Sequence, residues 1–361
     1  MLAVLDRSDR LLLGGAVTAI VLAALTRFFP VGDVLAFGCA ALAVAVLAAL
    51  VGRCVDQLGD RFGAGATGVL QSALGNLPEL FIAFFALQAG LLTVVQSALI
   101  GSILANLLLV LGAAFLVGGL RHGTQVFDSD RVRSTCVLLA LATGALVLPS
   151  LASYTHTPAE AHARQLSDIV AVVLLVIFAL SLPAALRRGS GGAAAPPPAV
   201  ERAHVDAAPR WPTWLAVALL AATAVAAALV SDWFVHALEP AMHKMGISDA
   251  FAGLVVVAIA GNAIENFVGV QLAARNQADL AVSVIINSPL QIALVLAPAL
   301  VLLSLFTATT LTLVFAPMLV VSVVIAVLLV SLIVFDAESN WLEGAALIAL
   351  YLIIATVFWW G

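Results

Sequence analysis

Two short motifs place a carboxylate inside hydrophobic sequence. Gly75-Asn76-Leu77-Pro78-Glu79 and Gly261-Asn262-Ala263-Ile264-Glu265 share glycine, asparagine and glutamate at the same spacing. A charged side chain at the centre of a lipid bilayer costs about 3 kcal/mol even on mild scales, so such residues usually have a function. Carboxylate oxygens are ligands of hard cations. Because this cost arises twice in matching frames, the motifs predict one cation site built from two halves.

Polar side chains also recur in the hydrophobic segment that follows each motif. Residues three or four positions apart share one face of a helix. The polar residues of each segment have this spacing, so they are expected to lie on a common face. The set contains charged and neutral oxygens without thiolate or imidazole, which suits Ca²⁺ with its six to eight oxygen ligands. The predicted metal-binding residues are Glu79, Glu265, Asn76, Asn262, Ser102, Asn106, Ser288 and Gln291, and the two glutamates are also the predicted proton-coupling residues.

Two prolines mark places where these helices are expected to open. Pro78 lacks an amide hydrogen and should leave the carbonyl of Leu74 without a helical partner, and Pro289 should do the same for Ile285. Freed carbonyls at membrane depth are tolerated where they line a cavity or bind an ion. The prolines therefore predict additional oxygen ligands near both motifs.

The composition predicts that the elements carrying these residues are membrane-spanning helices. The chain has 361 residues, of which 63% are hydrophobic and 10% are charged, whereas about 25% of the residues in a soluble domain are charged. A hydrophobic stretch of about 20 residues can cross a bilayer as a helix. The expected fold class is an all-α integral membrane protein with about eleven transmembrane helices. The hydrophobic segments are 11–29, 34–53, 64–88, 91–117, 134–152, 168–186, 212–231, 250–273, 280–304, 310–334 and 341–360.

Basic residues divide unequally between the two sides of the membrane. With the N-terminus placed inside, the outer loops carry Arg27, Arg164 and Lys244, and the other twelve of the fifteen basic residues lie inside. Cytoplasmic loops are enriched in lysine and arginine. We therefore expect a cytoplasmic N-terminus and an extracytoplasmic C-terminus. The lack of an evident organelle-targeting segment favours a bacterial inner membrane, and the first segment is expected to be a helix rather than a cleaved signal peptide.

A glycine- and proline-rich stretch at 187–211 separates two groups of five hydrophobic segments. An odd number of helices in each group inserts the second group upside down relative to the first, which is typical of inverted-repeat transporters with a midplane site. A shift of 186 positions superposes the two motifs without a gap. The predicted organisation is an extra N-terminal helix at 1–33, a first repeat at 34–186, a cytoplasmic linker at 187–211 and a second, inverted repeat at 212–361.

These residues resemble a known family. Gly75–Glu79, followed by the run from Gly101 to Gly112, is similar to the first α-repeat of the calcium/proton antiporters, which belong to the calcium/cation antiporter superfamily. Gly261–Glu265, followed by the run from Ser288 to Leu294, is similar to the second. The resemblance implies eleven helices, one plus five plus five. It also implies that Glu79 and Glu265 are the transport carboxylates.

The chain departs from the family pattern at several positions. Many members have histidine directly after the second glutamate, where this chain has Asn266. Asn287 replaces a glycine that is common before the serine of the second repeat, and Leu77-Pro78-Glu79 follows the form found in sodium/calcium relatives. The departure at Asn266 removes one group that could titrate beside Glu265.

Proton coupling can be argued from physical chemistry as well. Burial in a low dielectric favours the protonated form of a carboxyl group, and a nearby cation favours the ionised form. If Ca²⁺ and protons occupy Glu79 and Glu265 in turn, alternating exposure of the site is sufficient for exchange. The predicted function is thus Ca²⁺/H⁺ antiport, with the two ions as substrates and the bilayer as surroundings.

Other interpretations stay open from the sequence alone. The scaffold could carry a sodium/calcium or other cation exchanger, or a passive cation channel, although channels usually repeat one filter symmetrically around an axis. The glutamates could be structural, and the serine and amide side chains could join helices. All six histidines fall in predicted loops, and the chain lacks the nucleotide-binding pattern GxxxxGK[ST]. We therefore expect no enzymatic activity, no cofactor and no nucleic-acid partner.

Overall fold

The computed structural model describes residues 5–29, 31–62, 74–190 and 211–360. Within these ranges, the side chains of residues 59–62, 129–131, 182–190, 264 and 265 lie outside the described part, so Glu265 is described by its backbone alone. Two predicted features also fall in the gaps. Residues 63–73 include the start of the third hydrophobic segment, and residues 191–210 make up most of the linker.

The described residues are almost entirely helical. The helices are α1 (Arg7–Phe28), α2 (Asp33–Phe62), α3 (Leu77–Gln88), α4 (Leu92–His122), α5 (Ser129–Tyr154), α6 (Ala163–Ser190), α7 (Thr213–Met245), α8 (Asp249–Gly261), α9 (Ala263–Ala274), α10 (Ala278–Phe306), α11 (Pro317–Ile333) and α12 (Trp341–Trp359). A two-stranded antiparallel pairing joins β1 (Gln125–Val126) to β2 (Glu338–Ser339). One turn of 3₁₀ helix, Pro158–His162, precedes α6.

The helix count agrees with a polytopic membrane protein. Nine helices of the described residues are long and apolar enough to cross a bilayer, and the count is ten if the bent pair of α8 and α9 is taken as one span. The short apolar helix α3 is the described part of the predicted segment 64–88. The prediction of an all-α integral membrane protein is confirmed, and the helical ends differ from the predicted segments by several residues. At the linker, α6 continues to Ser190, so the first residues of 187–211 are helical.

Local sequence fixes several of these helix ends. Asp6 and Asp9 form a reciprocal capping box at the start of α1, and Asn340 with Glu343 does the same for α12. Both boxes satisfy backbone N–H groups that have no partner inside the helix. Gly246 ends α7 with φ of 65°, in the left-handed conformation that glycine adopts without steric cost.

The chain divides into two compact units. The first comprises residues up to Ala89, Leu180–Ile247 and Ala260–Ile264, and the second comprises Gly90–Ala179, Ser248–Ile259 and the residues from Glu265 onward. In the first unit, α2 packs along α7 and α1 packs on α2. The helix α3, which follows the first motif, also packs against α7.

A buried polar cluster connects the helices of the first unit at one end. Asp9 on α1 is 2% exposed, and its carboxylate accepts hydrogen bonds from Arg53 Nε at 2.8 Å and Trp211 Nε1 at 2.9 Å. The backbone N–H of Trp211 donates to Gln57 Oε1 at 3.1 Å. These contacts fix Trp211, two positions before the start of α7, against α1 and α2.

Close helix crossings organise the second unit. A Cβ atom placed on Gly101 of α4 would lie 2.3 Å from the carbonyl oxygen of Leu254 on α8. A Cβ on Gly253 would lie 2.3 Å from the carbonyl oxygen of Val94. Because only glycine permits this approach, the backbones of α4 and α8 contact directly, as small residues allow in membrane helices. Gly344 of α12 makes a similar approach to α4.

Residues 307–316 form an irregular segment between α10 and α11. The side chains of Leu311, Leu313 and Phe315 are buried in alternation along it. Its backbone groups are satisfied by polar side chains of other helices, as buried irregular backbone requires. Gln96 Nε2 donates to the carbonyl oxygens of Thr312 and Val314. Ser150 Oγ donates to Leu313 O and accepts from Phe315 N. Ser167 Oγ accepts from Leu313 N, and the Tyr154 hydroxyl donates to Phe315 O.

The predicted start of the tenth hydrophobic segment as a helix at residue 310 is therefore wrong. The helix α11 begins at Pro317, with Ala316 as its N-cap residue. Proline is favoured in the first turn because its missing N–H would have no helical partner there. Hydropathy recorded the apolar side chains of the preceding segment but contained no information about their backbone conformation.

Candidate cation-binding site

The first motif lies at the start of a helix. Leu74 is helical, Gly75 and Asn76 form a turn, and α3 begins at Leu77. The backbone N–H of Leu80 donates to Asn76 O at 3.0 Å and closes the first turn. Pro78 occupies the second position of α3, where its lack of a donor removes no helical hydrogen bond. Glu79 is consequently the third residue of α3.

Asn76 is a buried amide that has no hydrogen-bond partner among the described residues. Its side chain is 6% exposed, and neither Oδ1 nor Nδ2 makes a hydrogen bond with any of the described residues. Leaving a buried polar group unsatisfied costs about 1–3 kcal/mol. The side chain does not cap α3, although asparagine commonly does so at this position. Such a residue fits a binding role, because a ligand would supply the missing partner.

The second motif also lies at a break between two helices. The helix α8 ends at Gly261, Asn262 forms a turn, and α9 begins at Ala263. The segments Asp249–Gly261 and Asn266–Ala274 are bent by 62°. Asn262 is 1% exposed. Glu265 is the third residue of α9, and its side chain lies outside the described part. The asparagine of each motif therefore lies at a helix break, and the glutamate lies in the first turn of the helix that follows.

Within the first unit, the side chain of Glu79 lies against the second motif. A Cβ atom placed on Gly261 would be 2.8 Å from Glu79 Cγ and 3.2 Å from both Cδ and Oε1. Oε2 of Glu79 is buried. The carboxylate of the first motif thus contacts the glycine of the second. This contact links the two motifs within the first unit.

Two opposing electrostatic influences act on Glu79. The first turn of a helix carries backbone N–H groups and the positive end of the helix dipole, which stabilise an ionised carboxylate. Burial acts in the opposite direction, because it removes the water that solvates the charge.

The remaining predicted residues belong to the second unit and are also buried. Ser102 and Asn106 on α4 are 4% and 0% exposed, and Asn106 Nδ2 donates to the carbonyl oxygen of Ser102 at 2.9 Å. Ser288 and Gln291 on α10 are 3% and 7% exposed. The structure therefore places Ser102 and Asn106 on one helix face, as their spacing predicts, and withdraws all four side chains from the surface of the unit.

Both of these helices contain a π-helical turn beside their polar residues. The first covers Ala105–Val110 in α4, and the second covers Ile292–Leu296 in α10. A shift of 186 positions moves the first π turn to 291–296, where it overlaps the second. The two π turns therefore occupy equivalent positions in the two repeats. A third π turn, Ala252–Val257, lies in α8. Such turns are rare and occur frequently at functional sites. Hydropathy gives no signal for them.

Asn266 is a further polar residue beside the second motif. Its Oδ1 atom is buried and makes no hydrogen bond with the described residues. From the sequence, Asn266 stands out only as a departure from the family pattern. Its buried acceptor atom, directly after Glu265, makes it a neighbour of the candidate site in its own right.

Comparisons with known proteins now identify the family. The family described as "Sodium/calcium exchanger protein" matches residues 33–186 and 215–360, which together make up most of the chain. The chain belongs to the sodium/calcium exchanger family. This confirms the resemblance of the two motifs to those of the calcium/cation antiporters.

Relatives within the sodium/calcium exchanger family align over nearly the full chain. A protein of Synechocystis sp. named Ca²⁺/H⁺ antiporter is 36% identical over 341 residues, covering 91% of each chain. One of Aphanothece halophytica with the same name is 33% identical over 336 residues, covering 90% of each chain. The crystal structure of the selenium-substituted Ca²⁺/H⁺ antiporter YfkE matches with a TM-score of 0.79 at 31% identity, over 97% of this chain and 99% of the other.

Proposed function

We propose that this protein is a secondary active antiporter that exchanges Ca²⁺ for H⁺ across a lipid bilayer. Two relatives with the name Ca²⁺/H⁺ antiporter support the proposal, each at more than 30% identity over about nine tenths of the chain. The observation that carries it at the residue level is the contact between Glu79 and Gly261, because it brings the carboxylate of one repeat to the motif of the other.

The proposed site contains oxygen ligands from both motifs. Glu79 and Glu265 supply the charge, and the amide oxygens of Asn76 and Asn262 supply neutral ligands. The buried amide of Asn76, which has no partner among the described residues, would gain one from the cation. Ser102, Asn106, Ser288 and Gln291 complete the proposed set, in agreement with the preference of Ca²⁺ for six to eight oxygens in a flexible cage.

Exchange follows from competition for the same carboxylates. Ca²⁺ binds when Glu79 and Glu265 are ionised, and its charge stabilises that form. When Ca²⁺ leaves, two like charges in a low-dielectric site repel one another, so protons bind in its place. If the site opens to one side at a time only when it is occupied by Ca²⁺ or by protons, transport of one ion requires counter-transport of the other. Alternating access in inverted-repeat transporters operates on a site near the midplane.

The proposed orientation follows from the distribution of basic residues along the chain. The distribution of arginines places the N-terminus and the linker at 187–211 in the cytoplasm and the C-terminus outside. With this orientation, the segment 307–316 lies on the outer side and the pairing of β1 with β2 lies on the cytoplasmic side. We place the protein in a bacterial inner membrane.

Reconstituted full-length protein provides the test. Proteoliposomes with an acidic interior should take up external Ca²⁺ while a trapped pH-sensitive dye reports loss of internal protons. Glu79→Gln and Glu265→Gln should each abolish uptake, because glutamine cannot release a proton or supply charge. Glu239→Gln, which changes an exposed glutamate of α7, should leave uptake unchanged. Undiminished uptake in either motif variant would contradict the proposed site.

A sodium gradient in place of the pH gradient tests a second function. The matched family is described as sodium/calcium exchanger protein, and Leu77-Pro78-Glu79 follows the form found in sodium/calcium relatives. Uptake driven by outward sodium and indifferent to pH would favour sodium/calcium exchange over the proposed function. Ca²⁺ flux that responds to neither gradient would instead indicate a passive channel.

A further inference from the structure

Gly261 differs from the glycines at the helix crossings in what it contacts. A Cβ atom on Gly101, Gly253 or Gly344 would meet backbone atoms of a neighbouring helix at 2.3–2.5 Å, so those glycines permit helix crossings. A Cβ on Gly261 would meet three side-chain atoms of one residue, Glu79 Cγ at 2.8 Å and Cδ and Oε1 at 3.2 Å. Glycine at this position therefore makes room for the carboxylate-bearing side chain.

The backbone of Gly261 does not itself require glycine. Only four glycines of the described residues have φ in the left-handed region, namely Gly32, Gly90, Gly123 and Gly246. Gly261 is the last residue of α8, a helical conformation that alanine adopts readily. The restriction at this position is thus the space beside Glu79, and substitution by alanine would test that space alone.

We propose that Gly261 is a positioning residue for Glu79, and that its missing side chain determines where the carboxylate can bind a cation. The proposal rests on the assignment of Glu79 as a transport carboxylate. Real Cβ atoms essentially never lie within 3.0 Å of another heavy atom, so a methyl group at Gly261 must displace Glu79 Cγ. Because Ca²⁺–oxygen distances fall within 2.3–2.6 Å, a displacement of a few tenths of an ångström is enough to weaken binding.

The packing part of the proposal has a test that does not involve transport. The purified full chain and its Gly261→Ala, Glu79→Ala and double variants are compared by thermal unfolding in detergent without Ca²⁺. Gly261→Ala should lower the midpoint in the parent, but should have little effect once Glu79→Ala has removed the displaced atoms. An equal decrease in both backgrounds would overturn the proposal. If Gly261→Ala alone does not fold, folding of the double variant supports the proposal, and failure of both overturns it.

Gly269 on α9 supplies a matched control. A Cβ atom there would lie 2.6 Å from Ile285 Cγ1 and 2.8 Å from its Cδ1, so it also meets a flexible side chain. Gly269→Ala should lower the unfolding midpoint by the same amount with or without Glu79, because its contact is separate. A coupling to Glu79 as large as that of Gly261 would show that the coupling reports general destabilisation and would overturn the proposal.

The binding part is measured by the Ca²⁺ dependence of uptake. Gly261→Ala should raise the KM for Ca²⁺ about tenfold, which corresponds to about 1.4 kcal/mol of binding free energy, while Gly269→Ala should leave it near the parent value. An unchanged KM in Gly261→Ala would overturn the positioning role. If Glu79→Gln transports normally while the stability coupling is present, the proposed function fails and the packing relation between Gly261 and Glu79 stands.

Discussion

Removal of the Asp9 carboxylate should destabilise the first unit by several kcal/mol. Arg53 and Trp211 donate to this carboxylate at 2.8 and 2.9 Å, and the backbone N–H of Asp6 donates at 3.1 Å. The substitution Asp9→Ala leaves an indole N–H and a guanidinium group without their acceptor. Trp211 is fully buried, so water cannot replace the lost partner at the indole.

The magnitude follows from the burial of the three groups. Breaking a buried ion pair by removing one partner costs about 3–5 kcal/mol. The side chain of Arg53 is 22% exposed and recovers part of its hydration, so the lower end of that range applies to the pair. An unsatisfied neutral donor such as the indole of Trp211 adds about 1 kcal/mol. We expect Asp9→Ala to lower the free energy of unfolding by about 3–4 kcal/mol.

The pair between Lys244 and Asp33 is the control for this prediction. It is as short, at 2.7 Å, but its side chains are 57% and 43% exposed, and exposed pairs contribute about 1 kcal/mol at most. Thermal unfolding in detergent, followed by tryptophan emission, should show a much larger decrease in midpoint for Asp9→Ala than for Asp33→Ala. Equal decreases would refute the idea that Asp9 forms a buried, fully paired cluster.

Three other variants or conditions have expected outcomes. Ser150→Ala should lower the free energy of unfolding by about 2–4 kcal/mol, because its Oγ hydrogen-bonds both an acceptor and a donor of the segment 307–316. The control Ser97→Ala removes a buried Oγ that has no partner among the described residues, and it should change the free energy of unfolding little. Gly253→Ala should abolish recovery of monodisperse protein in size exclusion, because its methyl would lie 2.3 Å from Val94 O, and a normal yield would contradict the crossing. Lowering the pH should raise the KM for Ca²⁺ uptake, because protons and Ca²⁺ compete for one site in the proposed exchange; a KM independent of pH would contradict shared occupancy.

The sequence predicted the parts of the fold that depend on hydrophobic burial. Long apolar segments identified the spans, and Pro78 and Pro289 were expected to mark the helix openings. Pro289 lies inside α10, and the break at Asn262 was not predicted. Pro78 was expected to open a helix, and the structure places the interruption at Gly75 and Asn76, with Pro78 already inside the next helix. The proline was a correct indicator of the region because its residue type is favoured in a first helical turn.

Other features could not be predicted because they depend on contacts between distant residues. The segment 307–316 has the composition of a membrane helix, but its backbone is satisfied by Ser150, Ser167 and other side chains from α4, α5 and α6. The position of Trp211 depends on Asp9, which lies 202 residues earlier. The contact between Gly261 and Glu79 likewise joins residues that are far apart in the sequence.

The irregular backbone of the two repeats connects the fold with the proposed transport. A regular helix satisfies its own N–H and C=O groups, and departures from it at membrane depth are tolerated only where protein or a cavity surrounds them. Each motif here contains a helix break, at Asn76 in the first and at Asn262 in the second. A π turn follows Ser102 in α4, and another follows Ser288 at the equivalent position in α10. A purely structural origin would give no reason for these departures to adjoin the polar residues in both repeats. A cation site does give one, because helix breaks and π turns free carbonyl oxygens and bring polar side chains into positions that a straight helix would not provide.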